Sequence, residues 1–222
     1  MHWATTLSIL VAIAAAAIVY TPKPLGQHAA ASPLAKWIKL DALVVGRAIS
    51  FAHLMAFATA FGSSLWATFI GGVIAFRCLP RHQFGMLQSK LFPAYFRVVL
   101  TCVSVCLMAL GLTHPFTKTA AAAERLQFWI LSGSAVATAI NLVLLEPWTT
   151  KIMFQRHKIE REAGLGGEVG LSRNREEAKT NPALAAINKR FGIVHGLSSM
   201  CNVVSFGGLT AHLWYLGNRI QL

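Results

Sequence analysis

Long apolar stretches separated by short polar or proline-marked gaps set the pattern of this 222-residue chain. A helix needs about 20 mainly apolar residues to cross a hydrocarbon layer of about 30 Å, and five segments meet that length. The first, residues 2–20, is HWATTLSILVAIAAAAIVY; it lacks the basic leader of a signal peptide and follows Met1, so it is expected to be kept as an anchor. The second, 46–76, is longer than a perpendicular crossing requires, which predicts tilt or protrusion. The third, 93–113, is opened by Pro93, a residue suited to a first helical turn. The fourth, 127–147, is expected to stop at Pro147, and the fifth, 191–217, follows a polar loop at 148–190. The pattern predicts an all-α, multi-pass integral membrane bundle. Its four-helix domain covers 46–222, behind an N-terminal hydrophobic helix and linker at 1–45.

Two polar stretches interrupt the pattern. In RCLPRHQFGMLQSKLFPAYF, 77–96, Pro80 opens a short helix with Phe84, Leu87 and Leu91 on one face and Arg81, Gln88 and Lys90 around the rest. That spacing predicts an elbow lying in the membrane interface. Arg77, Arg81, His82 and Lys90 are its candidate lipid-headgroup ligands, and simple anchoring at headgroup level is the plainer reading of the same residues. In loop 148–190 the charged run KIMFQRHKIEREAG predicts a helical extension into water. The following GLGGEVG has neither the lysine and hydroxyl residue nor the preceding strand of a phosphate loop, and is expected to be a hinge.

Composition agrees with a lipid solvent: 55% of residues are hydrophobic and 13% charged, against about 25% charged in soluble domains. The net charge of +12 lies in the gaps between apolar runs, without a basic face interleaved with aromatics, so no nucleic-acid partner is expected. Loops 77–97 and 148–190 hold thirteen lysines and arginines against seven elsewhere, which places those loops on the cytosolic or matrix side. Four cysteines without C-x-x-C spacing imply neither a disulfide framework nor a zinc ribbon.

Polar side chains within apolar runs are costly and therefore candidates for function: His53, Asn141, His195 and Asn202. His53 and His195 are expected about 15 Å apart in depth, too far to share one metal or haem iron. Near the basic side Arg97, Asn141, Glu146 and His195 converge in depth, with Glu146 and Arg97 expected to pair and His195 and Asn141 to hydrogen-bond, either as a packing lock or as an ion relay. Cys102 and Cys106, with Met108 nearby, form a weak soft-metal candidate better read as packing. Small residues recur along the second helix at Ala52, Ala56, Ala60, Ser64, Thr68 and Gly72. With Gly133 and Ala137 on the fourth and Gly192 and Gly196 on the fifth, they are expected to allow close helix approach.

The segments CLPRHQFGMLQSKLFPAYF, NLVLLEPWTT, EREAGLGGEVG and RFGIVHGLSSMCN occur in this order, and as a set the region from about 46 to the C-terminus resembles the transmembrane protein 205 family. The resemblance implies a four-helix membrane domain of undefined function, no established catalytic residue, and an arginine where this chain has Trp148. It leaves residues 1–45 unexplained.

The expected role is that of a non-enzymatic structural or accessory subunit in a mitochondrial, other organellar or endomembrane bilayer, packing with lipids and other membrane subunits and needing no cofactor. The alternatives are a small-solute or ion transporter or binder using the polar cluster, and a haem- or metal-dependent oxidase.

Overall fold

The computed structural model describes residues 2–20, 42–114 and 121–219. The linker expected at 21–45, with Lys23, Lys36 and Lys39, and the loop with Lys118 fall wholly or mostly outside the described residues. The elements are α1 (His2–Tyr20), α2 (Ala42–Leu65), a π turn (Trp66–Gly71), α3 (Gly72–Cys78), α4 (Arg81–Thr113), α5 (Ala122–Ile140), a second π turn (Asn141–Leu145), α6 (Glu146–Glu162), α7 (Ser172–Thr180) and α8 (Pro182–Gly217). The protein is an all-α membrane protein. Among the described residues three helical stretches are long and apolar enough to cross a bilayer: Val44–Cys78, Arg81–Thr113 and Ala122–Glu162. The apolar part of α1, Trp3–Ala17, is shorter, and α8, though 36 residues long, carries His195, Asn202 and His212 in its run.

The helices run through the two prolines expected to bound them, Pro93 at a start and Pro147 at a stop. Pro93 lies inside the 33 residues of α4, so the third span begins at Arg81 and the elbow is its first turns rather than a separate interfacial helix. The missing N–H at Pro93 leaves the Ser89 carbonyl without its helical donor, a local cost that the flanking turns tolerate. At Pro147 the device is visible: the Glu146 N–H reaches back five residues to the Asn141 carbonyl, and this wider turn brings the chain past the proline into α6. The fourth span thus continues beyond Pro147 to Glu162. The fifth helix starts at Pro182, nine residues before the expected 191, where Asn181 Oδ1 accepts the Leu184 N–H at 3.1 Å as an N-cap ahead of a proline in the first turn.

The described residues divide into two compact units. Unit one comprises Met1–Gly62, Arg97–Val136 and Val204–Leu222. Val99, Leu100, Val103 and Leu107 of α4, Phe128 and Leu131 of α5 and Leu209 of α8 are buried in it, while Trp3, Phe51, Trp129 and Trp214 face outward as lipid-facing side chains do. Gly208 makes one close helix approach here, since a Cβ at that position would collide with Ser134 Oγ and meet the Ile130 carbonyl of α5. The same addition at Gly133, Gly192 or Gly196 meets nothing within 4 Å, so those three glycines do not form the expected packing surface. In α2 the stripe is partly used: Ala56, Ala60 and Ser64 are buried, and Ala52 is exposed.

Unit two comprises Ser63–Phe96 and Ala137–Val203. It holds both π turns, all of α3, α6 and α7, and the first turns of α4. Those turns present Arg81, Gln88 and Ser89 to the protein interior and Met86, Leu87 and Leu91 outward. Of the polar face expected to lie in the water interface, Arg81 and Gln88 are therefore turned inward, while Lys90 is exposed. In a hydrocarbon solvent this is the cheaper arrangement, because leucines cost nothing against lipid while polar groups find partners only inside.

Candidate functional site

Glu160 is the centre of unit two. It sits on α6 with its side chain fully buried, and an isolated carboxylate there would be too costly to keep ionised. It is not isolated. Oε1 accepts the Arg81 Nε–H at 2.7 Å and the Asn174 Nδ2–H at 2.7 Å, and Oε2 lies 3.0 Å from His82 Nε2. Arg156, one turn earlier on α6, places Nε 3.5 Å from Oε1, near enough for charge attraction but not aligned as a hydrogen bond. Asn174 is held in turn by Asn188 Nδ2–H, which donates to its Oδ1 at 2.8 Å.

The glycine-rich segment secures this hub. The Gly164 N–H bonds the Arg161 carbonyl and the Leu165 N–H bonds the Glu160 carbonyl, closing α6 with Gly164 at φ 68°. The chain then passes along the start of α4: the Arg81 N–H donates to the Glu168 carbonyl at 2.8 Å and the His82 N–H to the Gly166 carbonyl at 3.1 Å. Gly166 has φ 113°, and a Cβ there would overlap the His82 ring. Gly85 does the same for His157, whose ring fills the place of its Cβ. GLGGEVG is thus a clasp on the PRH turn and not a hinge. Burial raises the Glu168 carboxyl, but backbone N–H donors at Gly166 and Glu168, together with Arg173 and Arg81, outweigh it and hold the group below the usual range.

Beside the hub lies a cavity of about 620 Å³ within unit two, inside the ~300–1,000 Å³ range of small-molecule sites. Phe76, Phe84, Phe92, Phe96, Val73 and Met153 supply apolar wall; Arg77, Arg81, Gln88, Arg156, Glu146 and His195 supply polar groups. Phe191 joins the two kinds of lining, with the Arg156 guanidinium 3.9 Å above its ring centre and the His195 ring stacked at 5.4 Å.

Of the four residues expected to converge, Glu146 and His195 line this cavity, whereas Asn141 donates from Nδ2 to the Ser198 carbonyl at 3.0 Å rather than to His195. Arg97 belongs to unit one. Of the headgroup candidates, Arg77 lines the cavity, Arg81 is buried at Glu160, His82 is half-buried beside it, and Lys90 is exposed. Asn202 accepts the Tyr95 O–H at 2.7 Å and donates to Thr68 Oγ1 at 2.8 Å, so it packs α8 onto neighbours within the unit.

His82, His157 and Glu160 bring three possible metal-ligand atoms within 4.8 Å of one another, a group that spacing alone did not single out. The surroundings do not suit a cation. Both Glu160 oxygens are already engaged, and the guanidiniums of Arg81 and Arg156 flank the same carboxylate. At an effective dielectric of about 20, each added like-charge contact near 4 Å costs on the order of 4 kcal/mol.

Unit one holds a second polar constellation. His212, buried in α8, contacts Gln127 Oε1 through Nδ1 at 2.9 Å and His53 Nε2 through Nε2 at 2.9 Å. With the Gln127 oxygen accepting the Nδ1 proton, His212 Nε2 is the acceptor for the His53 N–H, since two protons cannot share so short a contact. Cys106 is buried with its thiol 3.6 Å from the His53 carbonyl, while Cys102 is half-buried. Sequence reasoning passed over His212 because a lone histidine near a helix end gives no spacing signal. It passed over Arg156, His157 and Glu160 because their run was assigned to water, although one helical face carries all three.

The chain is 32% identical over 168 residues to transmembrane protein 205 of Danio rerio, an alignment covering 74% of this chain and 89% of that protein. The chain belongs to the transmembrane protein 205 family. A family model described as a domain of unknown function, DUF4149, matches residues 55–158. A shorter likeness, 39% over 57 residues, links 23% of the chain to 36% of xanthocillin biosynthesis cluster protein D of Aspergillus fumigatus. No solved structure matches. The DUF4149 match contains Arg81, His82, Gly85, Arg156 and His157 and ends just short of Glu160, so the family region carries most of the hub.

Proposed function

We propose that this protein is a non-enzymatic binder of a small amphipathic molecule taken from the bilayer, held in the cavity of unit two. The observation that carries this reading is the cavity's make-up: aromatic and aliphatic wall along most of its lining, with charged and amide side chains among it. An apolar body with one polar head fits such a lining, and a fully hydrated solute does not. Several of the polar groups around it are engaged with one another, Arg81 with Glu160 and Thr150 with Glu146, and no reaction is assigned to them. This is the lipid-contact form of the accessory role and the binding form of the transporter alternative.

The test is equilibrium binding of radiolabelled oleate and monoolein to the full chain in detergent micelles. Saturable binding of at least one of them, weakened several-fold by Val73→Trp, which fills the lining, supports the reading. Non-saturable uptake that Val73→Trp leaves unchanged contradicts it.

A further inference from the structure

Three buried polar atoms of cavity-lining residues have no hydrogen-bond partner in the protein: Arg81 Nη2, Arg156 Nε and Gln88 Oε1. Arg81, Arg156 and Gln88 are respectively 6%, 8% and 9% exposed, so bulk water does not serve them. Leaving such groups unpaired is expensive, and most so for charged ones. The cations are only partly met. Arg81 and Arg156 share the one fully buried carboxylate, Glu160, while half-buried Glu168 acts on Arg81 from the glycine-rich segment. Arg77 adds a third cation to the lining; Glu146 supplies one acid, and it accepts the Thr150 O–H at 2.7 Å.

We infer that the head of the bound molecule is an anion, a carboxylate or phosphate, received by Arg81, Arg156 and the Gln88 amide beside the apolar wall. This rests on the proposal that the cavity holds an amphiphile, and adds the class of head it takes. Guanidinium N–H groups match the oxygen geometry of carboxylate and phosphate, and the Gln88 amide, turned so that its nitrogen faces the cavity, gives a third donor. The anion offsets the positive charge that Glu160 and Glu168 leave only partly met. A neutral head leaves it in place, and a cationic head adds to it. The Arg156 guanidinium is fixed against Phe191, so the receiving geometry is formed before the ligand arrives.

The experiment compares oleate, oleoyl-lysophosphatidate and monoolein, which share a chain and differ in head, on the full protein in micelles, with inorganic phosphate as competitor. The expected result is that one or both anionic lipids bind at least about tenfold more tightly than monoolein, or about 1.4 kcal/mol. That anion-to-neutral ratio should fall several-fold in Arg156→Gln and also in Gln88→Leu, a variant that leaves every Glu160 contact in place. Displacement of lysophosphatidate by millimolar inorganic phosphate would support the anion site and identify a soluble phosphate as its source. Equal affinity for all three lipids would overturn the inference while leaving the amphiphile reading intact. No saturable binding of any lipid would overturn both.

Discussion

Glu160→Ala is expected to destabilise the protein by about 3–5 kcal/mol, the usual cost of removing one partner from a buried ionic network. The loss arises less from the deleted bonds than from what remains: Arg81 and Arg156 buried without a counter-charge, and Asn174 and His82 without their acceptor. Thermal unfolding of the detergent-solubilised chain checks it. Adding Arg81→Met to Glu160→Ala should restore part of the loss, because an apolar replacement of a whole ion pair is tolerated far better than half of one. A loss below about 1 kcal/mol, the level of an exposed ion pair, would show that Glu160 is not buried at a hub.

Gly166→Ala is expected to cost about 2–4 kcal/mol, combining a backbone conformation that L side chains avoid with a collision against His82. Its neighbours calibrate the effect. Gly164→Ala meets open space but keeps a φ of 68°, so about 1 kcal/mol is expected. Gly167→Ala has neither problem and should stay within about 0.5 kcal/mol. The same unfolding assay should rank the three in that order. If Gly166 and Gly167 proved equivalent, the segment would be a mobile hinge after all, and its clasp on the PRH turn would not hold in the membrane.

Much of the fold was legible because lipid imposes a simple rule: long apolar runs become helices, and every expected run is one. The ends were not legible, because proline was read as a helix boundary, opening one span at Pro93 and closing another at Pro147. Pro147 is absorbed by a π turn whose only sequence trace is ordinary apolar residues, NLVLL, and Pro93 is carried by the length of helix on either side. Asn181-Pro182 was the opposite case, a start signal present in the sequence and overlooked inside a segment taken for loop.

The site was half legible. His195 was singled out for its intramembrane cost and Glu146 for its similar depth, and both line the cavity, but the hub that flanks it was hidden by an assumption about solvent. Arg156, His157 and Glu160 lie in a charged run that reads as water-facing, and Arg81 in an elbow that reads as interfacial. Neither run contains the information that each is the other's partner, some 79 residues away. Glycine gave the missing hint. Gly85 and Gly166 occupy the two places where an imidazole ring needs the space of a side chain, and both lie within the motifs that carry the family resemblance.

Both the hub and the cavity beside it depend on which way the first turns of α4 face. In a background with the four native cysteines replaced, single cysteines at positions 87, 88, 89 and 91 can be spin-labelled in the full chain reconstituted into liposomes, and their collisions with oxygen and with a water-soluble nickel chelate compared. The inward-turned polar face predicts oxygen access exceeding nickel access at 87 and 91 and little access of either reagent at 88 and 89. Strong nickel access at 88 and 89, with 87 and 91 shielded, would contradict it and remove both the hub and the cavity beside it.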